Sequence, residues 1–112
     1  MTMLEKLDAL KTMLGIAQDD TDRDGLLLLL LDHAAMRLKR LLGGLEPPES
    51  MEDILLEVSV KRFNRIGSEG LSGHTVEGES LTFSADDFAE YADDIRLYLE
   101  AQNSAQRKVI FL

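Results

Sequence analysis

The chain has 112 residues, a formal net charge of −9 and no cysteine. A chain of this length forms one domain with a modest core, burying about 65% of the surface that its unfolded form exposes. The absence of cysteine excludes disulfides and thiolate metal sites. The negative charge argues against nucleic-acid binding by the chain as a whole, because neutralising phosphates requires clustered Lys and Arg.

The first predicted helix covers about residues 3–14, where leucines recur at helical spacing and Gly15 follows as a stop signal. Acidic residues at Glu5 and Asp8 interrupt its apolar positions, so the segment lacks the apolar stretch of a signal peptide. We therefore expect an amphipathic helix that packs one face against the rest of the domain.

A second, central helix is predicted over about residues 21–42, from a capping Thr21 through a leucine-rich run to a glycine pair. The run Leu26–Leu31 is far too short to span a bilayer. It is apolar in nearly every direction around the helix axis, which requires cover on more than one side. The cover comes either from the first helix within a monomer or, in part, from a neighbouring subunit.

The third predicted helix covers about residues 50–66 and ends in a basic cluster formed by Lys61, Arg62 and Arg65. Cations are favoured in the last turns of a helix by the helix dipole. The cluster therefore either stabilises the helix end or forms salt bridges with the acidic flank of a neighbouring subunit.

The spacing of apolar residues then changes, which predicts a β-hairpin over about residues 73–83. If Gly78 and Glu79 form a two-residue turn, Val76 lies opposite Leu81 on one apolar face. An isolated two-stranded hairpin is marginally stable in water, so we expect it to lean on the helices or on a partner.

The last predicted helix covers about residues 85–102, capped by Ser84 with Asp87 and presenting an apolar stripe inward. The tail, residues 107–112, has four consecutive apolar residues after two basic ones, which predicts an extended strand. Such a strand either folds back on its own domain or adds to the sheet edge of a partner.

No residue pattern predicts catalysis, a metal site or a bound cofactor. The run Asp20-x-Asp22-x-Asp24-Gly25 matches half of a calcium-binding loop, but the twelfth position, which needs a bidentate carboxylate, is Leu31. Neither histidine has a ligand spacing, and no nucleophile or phosphate-loop motif occurs. The predicted fold is mainly α: a small bundle of about four helices, with a β-hairpin or long loop between the last two and an extended C-terminal tail.

The stretch from Val60 to Phe88 combines a basic helix end, a glycine-broken turn, the hairpin and an acidic helix start. Its run N-R-I-G-S-E-G-L-S, followed by that acidic helix, resembles the small head-tail connector proteins of tailed bacteriophages, the head-completion adaptors beneath the portal. A weaker resemblance extends across nearly the whole chain.

The resemblance implies a structural virion protein whose copies form a homo-oligomeric ring beneath the portal, join capsid to tail and give the DNA a passage. One face would dock on the portal protein, and the other on the next head-completion or tail component. The projecting hairpin, at Glu77, Gly78 and Glu79, would face the channel. The portal contact would lie in the tail, at Val109, Ile110, Phe111 and Leu112.

In this interpretation the protein resides in the host cytoplasm during assembly and then at the head-tail interface of the virion, without contacting a membrane. Its acidic surface would repel DNA, so that the genome passes without specific binding. The alternative is a non-viral helical adaptor or regulatory protein that binds another protein through the basic cluster. A small acidic enzyme would need a site that the sequence does not display.

Overall fold

The computed structural model describes the backbone of residues 1–68 and 85–110, with side chains for residues 1–66 and 87–104. Within these ranges the chain is helical and contains no strand, which confirms the predicted class of a small helical bundle. The predicted hairpin over residues 73–83 lies outside the described residues. The elements are α1 (Met3–Leu14), α2 (Asp24–Leu41), the 3-10 segment η1 (Glu49–Met51), α3 (Glu52–Ser68), the 3-10 segment η2 (Ala85–Tyr91) and α4 (Ala92–Ile110).

Local capping signals determine both ends of α1. The Glu5 amide donates to Thr2 Oγ1 at 3.1 Å, and the Thr2 amide donates to Glu5 Oε1 at 2.7 Å, which completes a capping box. At the other end Gly15 has a φ of +74°, a left-handed conformation that glycine adopts without steric cost. The helix therefore covers the residues that the sequence predicted.

The second helix begins at Asp24, three residues later than predicted from Thr21. Asp20 explains the delay, because its Oδ1 accepts a hydrogen bond from the Asp22 amide at 3.1 Å and holds a turn there. Asp24 in turn pairs with Lys11 Nζ at 2.7 Å, and Lys11 also donates to the Gln18 carbonyl oxygen. This contact fixes the start of α2 against α1.

Two groups of buried side chains form the core along the length of α2. The first core cluster joins the second half of α2 to η1, α3, η2 and the start of α4. The second core cluster joins the first half of α2 to α1 and α3. The first consists of Ala34, Leu38, Leu42, Met51, Ile54, Leu55, Val58, Phe88, Tyr91 and Ile95, and the second of Leu7, Leu10, Leu27, Leu30, Leu31, Leu56 and Ile66.

The apolar run at the start of α2 receives most of its cover from within the chain. Leu27, Leu30 and Leu31 are at most 1% exposed, packed between α1 and α3. Leu29 remains 41% exposed, so the described residues cover one direction of this helix only in part. The central position predicted for α2 agrees with this packing.

The C-terminal region differs from its prediction in two ways. The predicted helix start at residue 85 is a 3-10 segment, and the α-helix begins at Ala92. The extended strand predicted for the tail is wrong for Arg107–Ile110, which continue α4. The polar residues Gln102, Asn103 and Ser104 do not end the helix, because their helix propensities fall only about 0.7 kcal/mol or less per residue below that of alanine.

Candidate functional site

A surface feature of the described structure is the part of α4 after Leu99, whose described side chains are mostly exposed. The helix has 19 residues and is about 28 Å long. Its first turns carry the buried Ile95 and the half-buried Tyr98 and Leu99. Of residues 100–104, all but the half-buried Gln102 are exposed. We call residues 100–110 the C-terminal arm.

An open apolar groove of about 420 Å³ lies between the start of α4 and the end of α2. Leu41, Phe88, Ile95 and Leu99 contribute to its apolar lining. Its rim is polar and includes Arg96, which pairs along its own helix with Glu100 at 3.0 Å and with Asp93 at 3.6 Å. The groove thus combines an apolar floor and a charged edge at the base of the arm, an arrangement common in protein-binding surfaces.

The basic cluster of α3 binds η2 within the same chain. Arg62 Nε donates to Asp87 Oδ2 at 2.9 Å. Arg65 Nη1 donates to the same oxygen at 3.2 Å, while Arg65 Nη2 donates to Oδ1. Lys61 Nζ pairs with the Glu90 carboxylate and donates to the Asp87 carbonyl oxygen. We call these five residues the clasp.

The centre of the clasp is buried. The side chains of Arg62 and Asp87 are 2% and 4% exposed, whereas Arg65 is 32% exposed. Burial alone would raise the pKa of the Asp87 carboxyl, but hydrogen bonds from Arg65 and Arg62 outweigh it and hold the pKa below its ordinary value. Asp87 is therefore a carboxylate at neutral pH, with both of its oxygens bonded to guanidinium groups.

Two aromatic side chains lie against the cations of the clasp and connect it to the core. The Arg62 guanidinium lies 5.7 Å from the centroid of the Phe88 ring, and Lys61 Nζ lies 5.3 Å from that of Tyr91. Tyr91 Oη donates to Glu57 Oε1 at 2.5 Å. Burial, followed by this hydrogen bond to a carboxylate, raises the pKa of the Tyr91 phenol.

The structure thus brings the predicted basic cluster together with two acids that sequence reasoning did not assign to it. Asp87 was expected to cap a helix, yet its carboxylate binds Arg62 and Arg65. A salt bridge from the cluster to a neighbouring subunit stays a prediction. No local signal identifies the pairing, because the partners lie 22 to 29 residues apart in the chain.

The other predicted site residues fall at or beyond the limits of the described structure. Val109 and Ile110 belong to the last turn of α4. The remaining five, Glu77, Gly78, Glu79, Phe111 and Leu112, lie outside the described residues.

Across residues 1–68 and 85–110, no group of three or more His, Asp or Glu side chains could hold a metal ion. Among the helices in these ranges, none has the length and apolar character needed to cross a bilayer.

Comparison with known proteins identifies the family. The curated proteins and the solved structures yielded no match. The model of the phage gp6-like head-tail connector protein family matches residues 4–98. The matched region contains the first three helices, both core clusters and the clasp, and it ends before the C-terminal arm. Since it spans more than four fifths of the sequence, the chain belongs to the phage gp6-like head-tail connector family.

Proposed function

We propose that this connector is a structural virion protein that forms a ring beneath the portal, joins capsid to tail and leaves a passage for the genome. Family membership supports a connecting role between head and tail and favours it over a non-viral adaptor. The observation that carries the more specific proposal is the C-terminal arm, a helical extension whose described side chains, residues 100–104, are exposed except for the half-buried Gln102. A helix exposed in this way is suited to docking on another component.

The portal contact is assigned to the end of the arm. The sequence after Lys108 is Val-Ile-Phe-Leu, and its first two residues continue α4. A helix that carries apolar residues binds by laying them in a groove of its partner, whereas an extended strand would pair with a sheet edge. The helical conformation of Arg107–Ile110 therefore favours a helix-in-groove contact over strand addition.

Ring formation requires two different surfaces on each copy that fit one another, because identical surfaces pair as closed dimers. The chain offers such a pair around α4. The apolar groove lies on the side of Ile95 and Leu99, whereas Leu97, which is 55% exposed, projects from the other side of the helix. These two surfaces are the candidates for contacts between neighbouring copies.

The remaining parts of the proposal follow from charge and position. A net charge of −9 suits a channel wall that does not retain DNA, and Glu77 and Glu79 remain the residues proposed to face it. The face opposite the portal would receive the next head-completion or tail component. We place the protein in the host cytoplasm during assembly and then at the head-tail interface of the virion.

The test is co-sedimentation with the portal protein encoded beside this gene. We would compare the full chain, a chain truncated before Arg107, and a full-length variant whose last four residues are replaced by serine. A Met13→Ser variant serves as the control, because it alters an exposed apolar residue of α1, outside the arm and outside both proposed ring surfaces. Binding that is lost in both tail variants and retained in the control supports the portal contact. Failure of the full chain to bind would refute it.

A further inference from the structure

We propose that Asp87 is a positioning residue, which fixes the direction of α4 relative to the body of the domain by holding η2 against α3. The consequence for portal binding rests on the function proposed above, since that function makes the C-terminal arm the contact surface. The positioning itself is a property of the isolated chain and can be measured without a partner.

The attachment of α4 to the rest of the domain runs mainly through η2. Among the described elements, α4 adjoins mainly η2, and η2 adjoins α3. Ile95 is the only side chain among residues 92–104 that is buried in the core, and the partly buried Tyr98 and Leu99 pack against this core. The direction of the arm therefore depends on these three side chains and on how η2 is seated on α3.

The geometry of the clasp restricts how η2 can sit on α3. Arg62 and Arg65 are three residues apart on α3, so they project from the same face and reach Asp87 together. Arg65 bonds both carboxylate oxygens and Arg62 bonds one of them, which restricts the plane of the carboxylate. Apolar contacts such as those of Phe88 are not directional. Asp87 thus supplies the most deeply buried of the directional contacts between η2 and α3, beside the Lys61–Glu90 pair and the Tyr91–Glu57 hydrogen bond.

Removing the charge of Asp87 leaves a buried cation with less compensation. The Arg62 side chain is 2% exposed, and an interior cation that loses a counter-ion is strongly unfavourable. Separation of η2 from α3 would admit water to the guanidinium and relieve this cost. An Asp87→Asn variant should therefore favour states in which η2 has moved and α4 points in other directions.

The absence of cysteine from the natural chain allows a direct measurement. Spin labels on cysteines introduced at Asp32 in α2 and Ser104 in the arm, both exposed, report the distance between body and arm by electron–electron double resonance. With Asp87 intact we expect one narrow distance distribution. With Asp87→Asn we expect a distribution roughly twice as wide, because locally opened states become populated.

Two controls separate positioning from general loss of stability. Leu7→Ala weakens the second core cluster, to which no clasp residue belongs, and Asp94→Asn removes an exposed carboxylate from the first turn of α4. Both should keep the narrow distribution under conditions where circular dichroism shows a folded protein. An equal broadening in Leu7→Ala, or an unchanged distribution in Asp87→Asn, would overturn the proposal.

If Asp87→Asn does not fold, Arg65→Lys provides the milder test. Lysine keeps the charge but cannot bond both oxygens as a planar fork, so the distribution should widen to a smaller extent. An unchanged width in that variant would also overturn the proposal. Portal co-sedimentation is then compared across the same variants. If the variants broaden the distance distribution but the parent chain does not bind the portal, the proposed function is refuted and the positioning role stands.

Discussion

Truncation of Ile95 to alanine tests the orientation of α4, because this residue joins the helix to the first core cluster. Its side chain is 8% exposed, and the change removes the equivalent of three methyl or methylene groups. At about 0.8 kcal/mol each, the transfer cost alone is about 2.4 kcal/mol. Ile95 also lines the open groove, so water and neighbouring side chains can fill the space left behind. We therefore expect a loss of about 2–3 kcal/mol, in the lower part of the range for such truncations.

The assay is urea-induced unfolding followed by circular dichroism, with the slope of the transition checked for constancy. Leu97→Ala is the matched control, since it lies two residues along the same helix and is 55% exposed. Its expected cost is below about 0.5 kcal/mol. A loss below about 0.5 kcal/mol for Ile95→Ala, or a larger loss for Leu97→Ala, would show that α4 is rotated relative to the structure.

Three further perturbations test the clasp, the end of α1 and the proposed channel. Asp87→Asn should lower the free energy of unfolding by about 3 kcal/mol at pH 7, because it leaves Arg62 buried with less compensation. The Asp87 pKa is depressed in the folded state, so this contribution is present above the ordinary value of 3.8 and is lost as the pH falls through the folded-state pKa. The difference in urea midpoint between parent and variant should accordingly shrink at pH 3, and an undiminished difference would rule out the charge as its source. Gly15→Ala should lower the free energy of unfolding by about 1 kcal/mol, because alanine is strained at the positive φ of this position. An added Cβ meets no atom within 4 Å, so no steric clash adds to this cost. An unchanged melting temperature would contradict this expectation. Replacing Glu77 and Glu79 with lysine should slow genome ejection more than it reduces particle assembly; normal ejection from such virions would count against a channel-facing segment.

Elements with local signals were predicted well from the sequence. The first helix follows from the leucine spacing and from Gly15, which act within a few residues of the boundary that they determine. The start of α2 was misplaced, because the Asp20 side chain competes for a backbone amide and forms a turn where Thr21 was expected to cap a helix. Helix existence was therefore easier to predict than helix boundaries.

The tail shows that the composition of a short apolar run does not determine its secondary structure. Four apolar residues predict a strand by composition, but Arg107–Ile110 directly follow a long helix and continue it. Neither glycine nor proline occurs between Ala85 and Leu112, so no strong stop signal separates the helix from the tail. The preceding helix thus influenced the conformation of residues 107–110 more than their apolar composition did.

The clasp was beyond sequence reasoning for a different reason. Lys61, Arg62 and Arg65 were identified as a basic cluster that either stabilises the helix end or forms salt bridges, but the chain contains 21 acidic residues that could pair with them. Which acids pair with the cluster depends on the packing of η2 against α3, where Phe88 and Tyr91 belong to the first core cluster. This packing brings Asp87 and Glu90 to the basic residues. The apolar contacts bring the segments together, and the ion pairs then specify their register.

The ion pairs inside the domain also affect the charge of its surface. Within the part of the chain with described side chains, Lys11, Lys61, Arg62 and Arg65 are engaged in ion pairs between separate elements. Much of the positive charge is therefore neutralised locally, while many carboxylates remain exposed, including those of Asp8, Asp19, Asp22, Asp32, Asp53 and Asp94. Because these cations form contacts inside the domain, its surface is more uniformly negative than the composition alone indicates. For the proposed ring, this arrangement lets one set of residues hold α4 in place and leaves the surface unsuited to retaining DNA.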